Sequence, residues 1–266
     1  DVKKGELILS RGKVLTEFDV ALLASLNKRF IKVYRKPFFG ILNVGSELIP
    51  LGGELTEGRK VNSNEIMLTT LMKKLGLTPI KLGIARDDPK EIRERIEMGL
   101  RLCDILFVTG GTAVSEEDLV YGVLSEIGRV IVRGIAIKPG RHTGFAIVND
   151  RPVFVLSGNP VACAVGFLFF ALPAIEKSLN LRILRFPIVK ARVLRKIPGS
   201  IGYKSLVRVK LVQQNGDIFA EPISIHGAGI LTTLTSADGF VIVPEDIEGF
   251  EKGEIVDVVV YEALKL

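Results

Sequence analysis

Three acids, one lysine and two glycine turns carry the chemistry available to this sequence: Glu47, Asp87, Asp118 and Lys138, with Gly110-Gly111 and Ser157-Gly158. Carboxylates gathered at one place suit a hard divalent cation such as Mg2+, which takes oxygen ligands. A lysine beside a run of backbone N–H groups suits phosphate or another oxyanion. Together they could stabilise charge on a phosphate leaving group. Each residue taken singly has a plainer role. Asp118 suits a helix dipole, Asp88 beside Asp87 suits a helix cap, and Glu47 and Lys138 suit a solvated surface. The functional reading depends on whether the fold brings them together.

The elements that must do so are legible as alternating patterns. Residues 104–118 read DILFVTGGTAVSEED: an apolar run, a glycine turn at Gly110 and Gly111, and a helix capped by Thr112 or Ser115 that runs through Glu116, Glu117 and Asp118 to about Ile127. Such a junction aims backbone N–H groups at an anion. A strand at 38–44 ends on Gly45, Ser46 and Glu47. Asn62 with Glu65 predicts a capping box, followed by a helix with Ile66, Met67, Leu71 and Leu75 on its core face. A strand at 79–85 leads to Asp87. Asp88 and Pro89 then start a helix that turns Ile92, Ile96, Met98 and Leu100 inward. A strand at 130–137 closes on Lys138-Pro139-Gly140. Asn149-Asp150 joins strands at 145–148 and 153–156 as a hairpin, and Ser157-Gly158-Asn159-Pro160 opens a long apolar helix.

This alternation predicts an α/β fold, a three-layer unit with a mostly parallel sheet, over residues 37–181. Ligands of such sheets bind beyond the carboxyl ends of the strands. Glu47, Asp87, Gly110, Lys138 and the Ser157 turn all follow predicted strands, so they are expected at one edge. After residue 181 the helical pattern stops. Five β-rich stretches (188–194, 205–213, 217–220, 240–243 and 255–261), with a hairpin at Asn215-Gly216, predict a small all-β barrel over 182–266. Residues 1–36 read as a remnant or linker, with strands at 6–10 and 30–34 and a Thr16-capped helix at 17–26. The chain opens without methionine, which suggests a piece of a longer protein.

Composition narrows the class. The chain has 266 residues, 47% of them apolar, and a net charge of +6. Its lysines and arginines are spread along the chain rather than gathered in one run, which argues against a nucleic-acid partner. The two cysteines, Cys103 and Cys163, sit in apolar contexts and read as buried hydrophobes in a reducing, cytoplasmic compartment. His142 and His226 show no zinc spacing. The longest apolar run, 161–175, holds Gly166 and Pro173 and is short for a bilayer, so it reads as a core helix with no membrane role.

Several motifs occur in a family order. They are Ile41-Leu42-Asn43-Val44-Gly45-Ser46-Glu47-Leu48, Asp87-Asp88, Thr109-Gly110-Gly111-Thr112 with Asp118, Lys138-Pro139-Gly140, and Leu156-Ser157-Gly158-Asn159-Pro160. The tail adds Gly227-Ala228-Gly229-Ile230-Leu231, then Ser236-Ala237-Asp238-Gly239-Phe240, and Lys252-Gly253-Glu254. In this order they resemble the molybdopterin molybdenumtransferases, relatives of the C-terminal part of gephyrin. The resemblance implies Mg2+-dependent insertion of molybdate into adenylylated molybdopterin with release of AMP, by an elongated homodimer. It implies Glu47, Asp87, Asp118 and Lys138 as catalytic residues, the three acids as metal ligands and Lys138 on the oxyanion. It further implies Gly45, Ser46, Gly110, Gly111, Thr112, Gly140, Ser157, Gly158, Asn159 and Pro160 around the molybdopterin or adenylyl-molybdopterin. The sequence departs from the family at Ser46, where Asp is usual, and at Gly134, where a basic residue is common beside Arg133. Ala113 and Ala228 stand where Ser is frequent, and Ser157 where Pro is usual. The family's other N-terminal domains are absent. A non-catalytic molybdopterin-binding or scaffolding module, or a molybdopterin adenylyltransferase-like activity, is the alternative.

Overall fold

The computed structural model describes residues 2–111, 118–179, 186–223 and 230–260. Its larger unit is built on a six-stranded sheet in the order Thr78–Ala85, Phe38–Val44, Ile105–Gly110, Arg151–Leu156, Gly144–Val148, Arg129–Arg133. The first four strands are parallel, and Gly144–Val148 runs antiparallel to both of its neighbours. Every residue of Ile105–Gly110 is buried, as expected of a parallel strand covered on both faces.

Side-chain alternation sorts the apolar residues between two layers. Phe39, Ile41, Phe107 and Phe154 pack with Leu68 and Met72 of the helix Ser63–Lys74 and with Phe167 and Ile175. Leu42, Val44, Leu106 and Val108 pack instead with Ile92 and Ile96 of Pro89–Leu102 and with Val120 and Leu124 of Leu119–Ile127. Phe107 stacks on Phe154 at 5.4 Å and meets Phe167 edge-on at 5.5 Å, each pair adding about 0.5–1.5 kcal/mol beyond its buried area.

Several local expectations hold. Asp88 accepts from the Lys90 N–H at 3.0 Å and Pro89 takes the first helical position. Asn149 and Asp150 both adopt positive φ in a two-residue turn between Val148 and Arg151, the geometry that a tight hairpin requires. Thr16 caps Glu17–Ser25 in a full capping box with Asp19.

Others are corrected. Residues 6–10 and 30–34 form no strand: no neighbouring strand pairs with them among the described residues, and Phe30 is 83% exposed. Asn62 accepts from the Glu65 N–H at 3.3 Å, but the Glu65 carboxylate turns to Lys81 at 3.5 Å instead of completing the box. The buried stripe of Ser63–Lys74 is Asn64, Leu68 and Met72, with Met67, Leu71 and Leu75 only partly buried beside it. Met98 is 37% exposed, while Ile92, Ile96 and Leu100 point inward.

The long apolar segment is a continuous helical run, Pro160–Leu179, with a wider turn at Phe167–Ala171. It is long and apolar enough to cross a membrane, yet most of it is buried against the sheet. Cys103 and Cys163 are free and buried; burial pushes the Cys103 thiol up to about 11 and Cys163 further, so both behave as small hydrophobes.

The second unit is a closed barrel. Asp217–Pro222 pairs with both Ile188–Val193 and Lys204–Gln214, and Gly239–Val243 and Ile255–Val260 complete the ring. Asn215 and Gly216 take positive φ in the expected hairpin. The strand expected at 130–137 is broken: Arg129–Arg133 stays in the first sheet, Gly134 turns away at φ +84°, and Ile137–Lys138 pairs with Lys204 and Ser205 of the barrel. One segment of the α/β unit therefore belongs to the barrel's sheet.

Candidate functional site

Because the parallel strands run the same way, their carboxyl ends bring four loops side by side. In spatial order these are Asp87, then Gly45 to Glu47, then Gly110-Gly111, then Ser157 to Asn159. The Gly45 N–H donates to the Ala85 carbonyl at 3.0 Å, tying the second loop to the first. The tie continues through Ser46, whose N–H donates to Asp87 Oδ2 at 2.7 Å while the Asp87 N–H donates to Ser46 Oγ at 3.0 Å. Arg59 donates to the Ser46 carbonyl at 2.6 Å. Beneath the loops, Thr109 Oγ1 donates to Asn43 Oδ1 at 2.8 Å, a buried bridge between adjacent strand ends.

The two glycine turns touch. Gly110 has φ +83°, and a Cβ there would stand 2.1 Å from the Val44 carbonyl oxygen. A Cβ on Gly158 would lie 3.3 Å from the Gly110 Cα. At Gly110 only bare backbone fits, and at Gly158 a Cβ would crowd its neighbour; such close backbone lets main-chain N–H groups approach an anion. In the second turn the Asn159 N–H donates to Ser157 Oγ at 3.2 Å. Asn159 is the N-cap of the following helix, yet its side chain makes no cap bond and Pro160 brings no N–H. Thr112 lies outside the described residues.

Asp118 is placed differently from expectation. It does not sit on the first helical turn but is the N-cap of Leu119–Ile127, accepting from the Tyr121 N–H at 3.4 Å. It lines a cavity of about 610 Å3 with Tyr121, Arg133, Arg141, His142 and Tyr203, the last from the barrel. Burial raises its carboxyl above the ordinary value, against the opposing pull of the Tyr121 N–H, Arg133 and His142. Tyr121 is pushed up to about 12 by burial and then by the Asp118 charge. Its hydroxyl donates to the His142 carbonyl at 3.2 Å, and the Arg133 guanidinium lies 5.4 Å from its ring centre. Arg141 Nε donates to His142 Nε2 at 3.0 Å, and burial together with the Arg141 charge lowers the imidazole.

Lys138 does not join this cavity. Held on the barrel's sheet, it is exposed and its Nζ donates to Ser200 Oγ at 3.1 Å. Gly140 is buried in the same connection. Nor do the three acids converge: among the described residues no group of three or more His, Cys, Asp or Glu is placed to hold a metal ion. The physical reason is spacing along the edge. Asp87 and Glu47 flank the Gly45-Ser46 turn, whereas Asp118 is drawn off by its capping role. Mg2+ commonly takes one or two carboxylates together with substrate phosphates and waters.

Sequence reasoning missed Asn64, Arg141, His142, Tyr121 and Tyr203. Arg133 alone had a signal, its place beside a position that is often basic. Asn64 sits on a buried helix stripe where an apolar residue is the default.

The comparisons with known proteins agree with this architecture. The family described as "Probable molybdopterin binding domain" matches residues 40–177, and the "MoeA C-terminal region (domain IV)" matches residues 190–261. A molybdopterin molybdenumtransferase of Bacillus subtilis is 31% identical over 259 residues, covering 97% of this chain and 60% of the relative. A molybdopterin biosynthesis MoeA protein of Pyrococcus horikoshii superposes with a TM-score of 0.79 at 32% identity, over 95% of this chain and 61% of that one. A molybdenum cofactor biosynthesis protein of Pyrococcus furiosus gives 0.71 at 31% identity, over 98% of this chain and 81% of that one. The chain spans about three fifths of the length of the curated relatives it matches. With the α/β unit and the barrel both accounted for, the chain belongs to the molybdopterin-binding domain family and carries a MoeA-type C-terminal region.

Proposed function

We propose that this chain is the molybdopterin-binding α/β unit and C-terminal barrel of a molybdopterin molybdenumtransferase, acting in the cytoplasm as part of a homodimer. The substrate is adenylylated molybdopterin, molybdate is inserted, and AMP leaves. The observation that carries the reading is the row of loops Asp87, Gly45 to Glu47, Gly110-Gly111 and Ser157 to Asn159 along one sheet edge.

Gly110, Gly111 and Gly158 offer main-chain N–H groups and room for phosphate oxygens. Glu47 and Asp87 are the residues that would hold Mg2+. Bound there, the ion would offset charge on the phosphate oxygens of the departing AMP. Ser46 keeps the Asp87 carboxylate oriented through its N–H. Arg133 and Arg141, lining the cavity beside Asp118, take the molybdate oxygens, a role expected of Lys138 from sequence. Asp118 contributes as the cap that sets the start of its helix, with its carboxylate facing those cations.

The test uses the full-length protein: adenylyl-molybdopterin, Mg2+ and molybdate are supplied and AMP is measured. Release dependent on molybdate supports the reading, and none at all overturns it. A second reading, a pterin-binding module without turnover, is favoured by the failure of the three acids to gather. Tight pterin binding without AMP, unchanged in Glu47→Ala, would favour it.

A further inference from the structure

Asn64 lies on the first turn of Ser63–Lys74 and is 7% exposed. The helix buries Leu68 and Met72 on the same stripe, so an apolar side chain would be the default at this site. Instead, Asn64 Nδ2 donates to the Gly158 carbonyl at 2.9 Å, across 94 residues of sequence. Its Oδ1 is buried with no hydrogen-bond partner among the described residues, a desolvation cost that the protein does not offset. A Cβ added to Gly158 would stand 3.3 Å from the Gly110 Cα, so the two turns lie against each other. Asn64 thus reaches from one helix to the carbonyl of one glycine turn and fixes that turn against the other.

We infer that Asn64 is a positioning residue for the phosphate cradle. By taking up the Gly158 carbonyl it turns that peptide's oxygen away from the ligand side. The N–H groups of the two turns are thereby held ready for an anion before it arrives. Carbonyl oxygens repel phosphate, so the orientation of this one peptide decides whether the turn attracts or opposes the ligand. The inference rests on the phosphate-binding reading above. It adds a residue that neither motif nor charge pattern points to.

The experiment measures binding of molybdopterin and of its dephosphorylated form to the full-length protein, anaerobically, for wild type, Asn64→Ala and Asn64→Leu. Leu keeps the branched four-atom skeleton of Asn without its polar atoms, Ala removes the side chain beyond Cβ, and circular dichroism checks that both fold. Both variants are expected to bind molybdopterin about tenfold more weakly, the loss of one aligned hydrogen bond, and the dephosphorylated form unchanged. In wild type the Asn64 side-chain amide resonance should move on adding molybdopterin and stay put with the dephosphorylated form. Equal weakening of both ligands would reduce Asn64 to a structural residue and overturn the inference. So would unchanged affinity for molybdopterin in a folded variant. If wild type binds neither ligand, the phosphate reading itself falls and this inference with it.

Discussion

Ser46 and Asp87 hold each other by two reciprocal hydrogen bonds, backbone to side chain in each direction, at 2.7 and 3.0 Å. The pair joins the ends of two adjacent parallel strands at the rim. Asp87→Ala removes the acceptor of the Ser46 N–H and frees the Gly45 loop. At this exposed position it should cost about 0.5–1.5 kcal/mol by thermal melting. In the full-length protein AMP release should fall at least about tenfold. Ser46→Ala, which removes only the weaker half of the pair, should do less on both measures.

Glycine identity matters where backbone meets backbone. Gly110→Ala places a Cβ against the Val44 carbonyl in a left-handed conformation. It should lose about 1–3 kcal/mol to the backbone conformation alone and abolish pterin binding. Gly122, in the helix Leu119–Ile127, has open space around it. Gly122→Ala should stabilise the protein by about 0.5–1 kcal/mol. Paired melting curves check both signs.

Asp118 titrates above its ordinary value because burial penalises the charged form. The sign follows from linkage: the folded state holds this proton more tightly than the unfolded chain does. Its contribution to stability is fully present below the ordinary carboxylate range and is lost as pH rises through the folded value. Asp118→Asn should flatten that part of the stability profile. Carboxyl NMR titration should find the Asp118 midpoint above 3.8; a midpoint at or below it would contradict the burial argument.

The oxyanion role separates Lys138 from the two arginines. Arg133→Ala and Arg141→Ala should each raise the molybdate concentration needed for half-maximal AMP release. Lys138→Met, which cuts a contact to Ser200 outside the cavity, should change it little. A larger effect at Lys138 than at either arginine would reverse the assignment.

Much of the fold was readable because its signals are local. Asp88 with Pro89 announces a helix start, Asn149-Asp150 a tight hairpin, and continuous apolar runs a sheet covered on both faces. The misses are long-range. Nothing near Lys138 in sequence says that its strand pairs with Lys204 rather than continuing from Arg133. Nothing near Asn64 says that a polar residue on a buried stripe has a carbonyl waiting 94 residues away. Residues 30–34 carry good strand chemistry but lack a neighbour to pair with among the described residues, and a strand exists only as part of a sheet. Glu47 and Asp87 follow strands and so fall at one edge, whereas Asp118 reads as an acid of a helix start. Whether they touch depends on loop geometry, which capping redirected at Asp118.

The strand Ile137–Lys138 also ties the unfolding of the two units together. The barrel completes one side of its sheet with residues that lie between Arg129–Arg133 and Gly144–Val148 of the other unit. Melting the larger unit therefore strips a pairing partner from Lys204 and Ser205, and opening the barrel pulls on the connection that carries Arg141 and His142. The pair should melt as one cooperative transition. A barrel expressed from residue 182 onward should show lower stability and a new tendency to self-associate through the bared Lys204 edge.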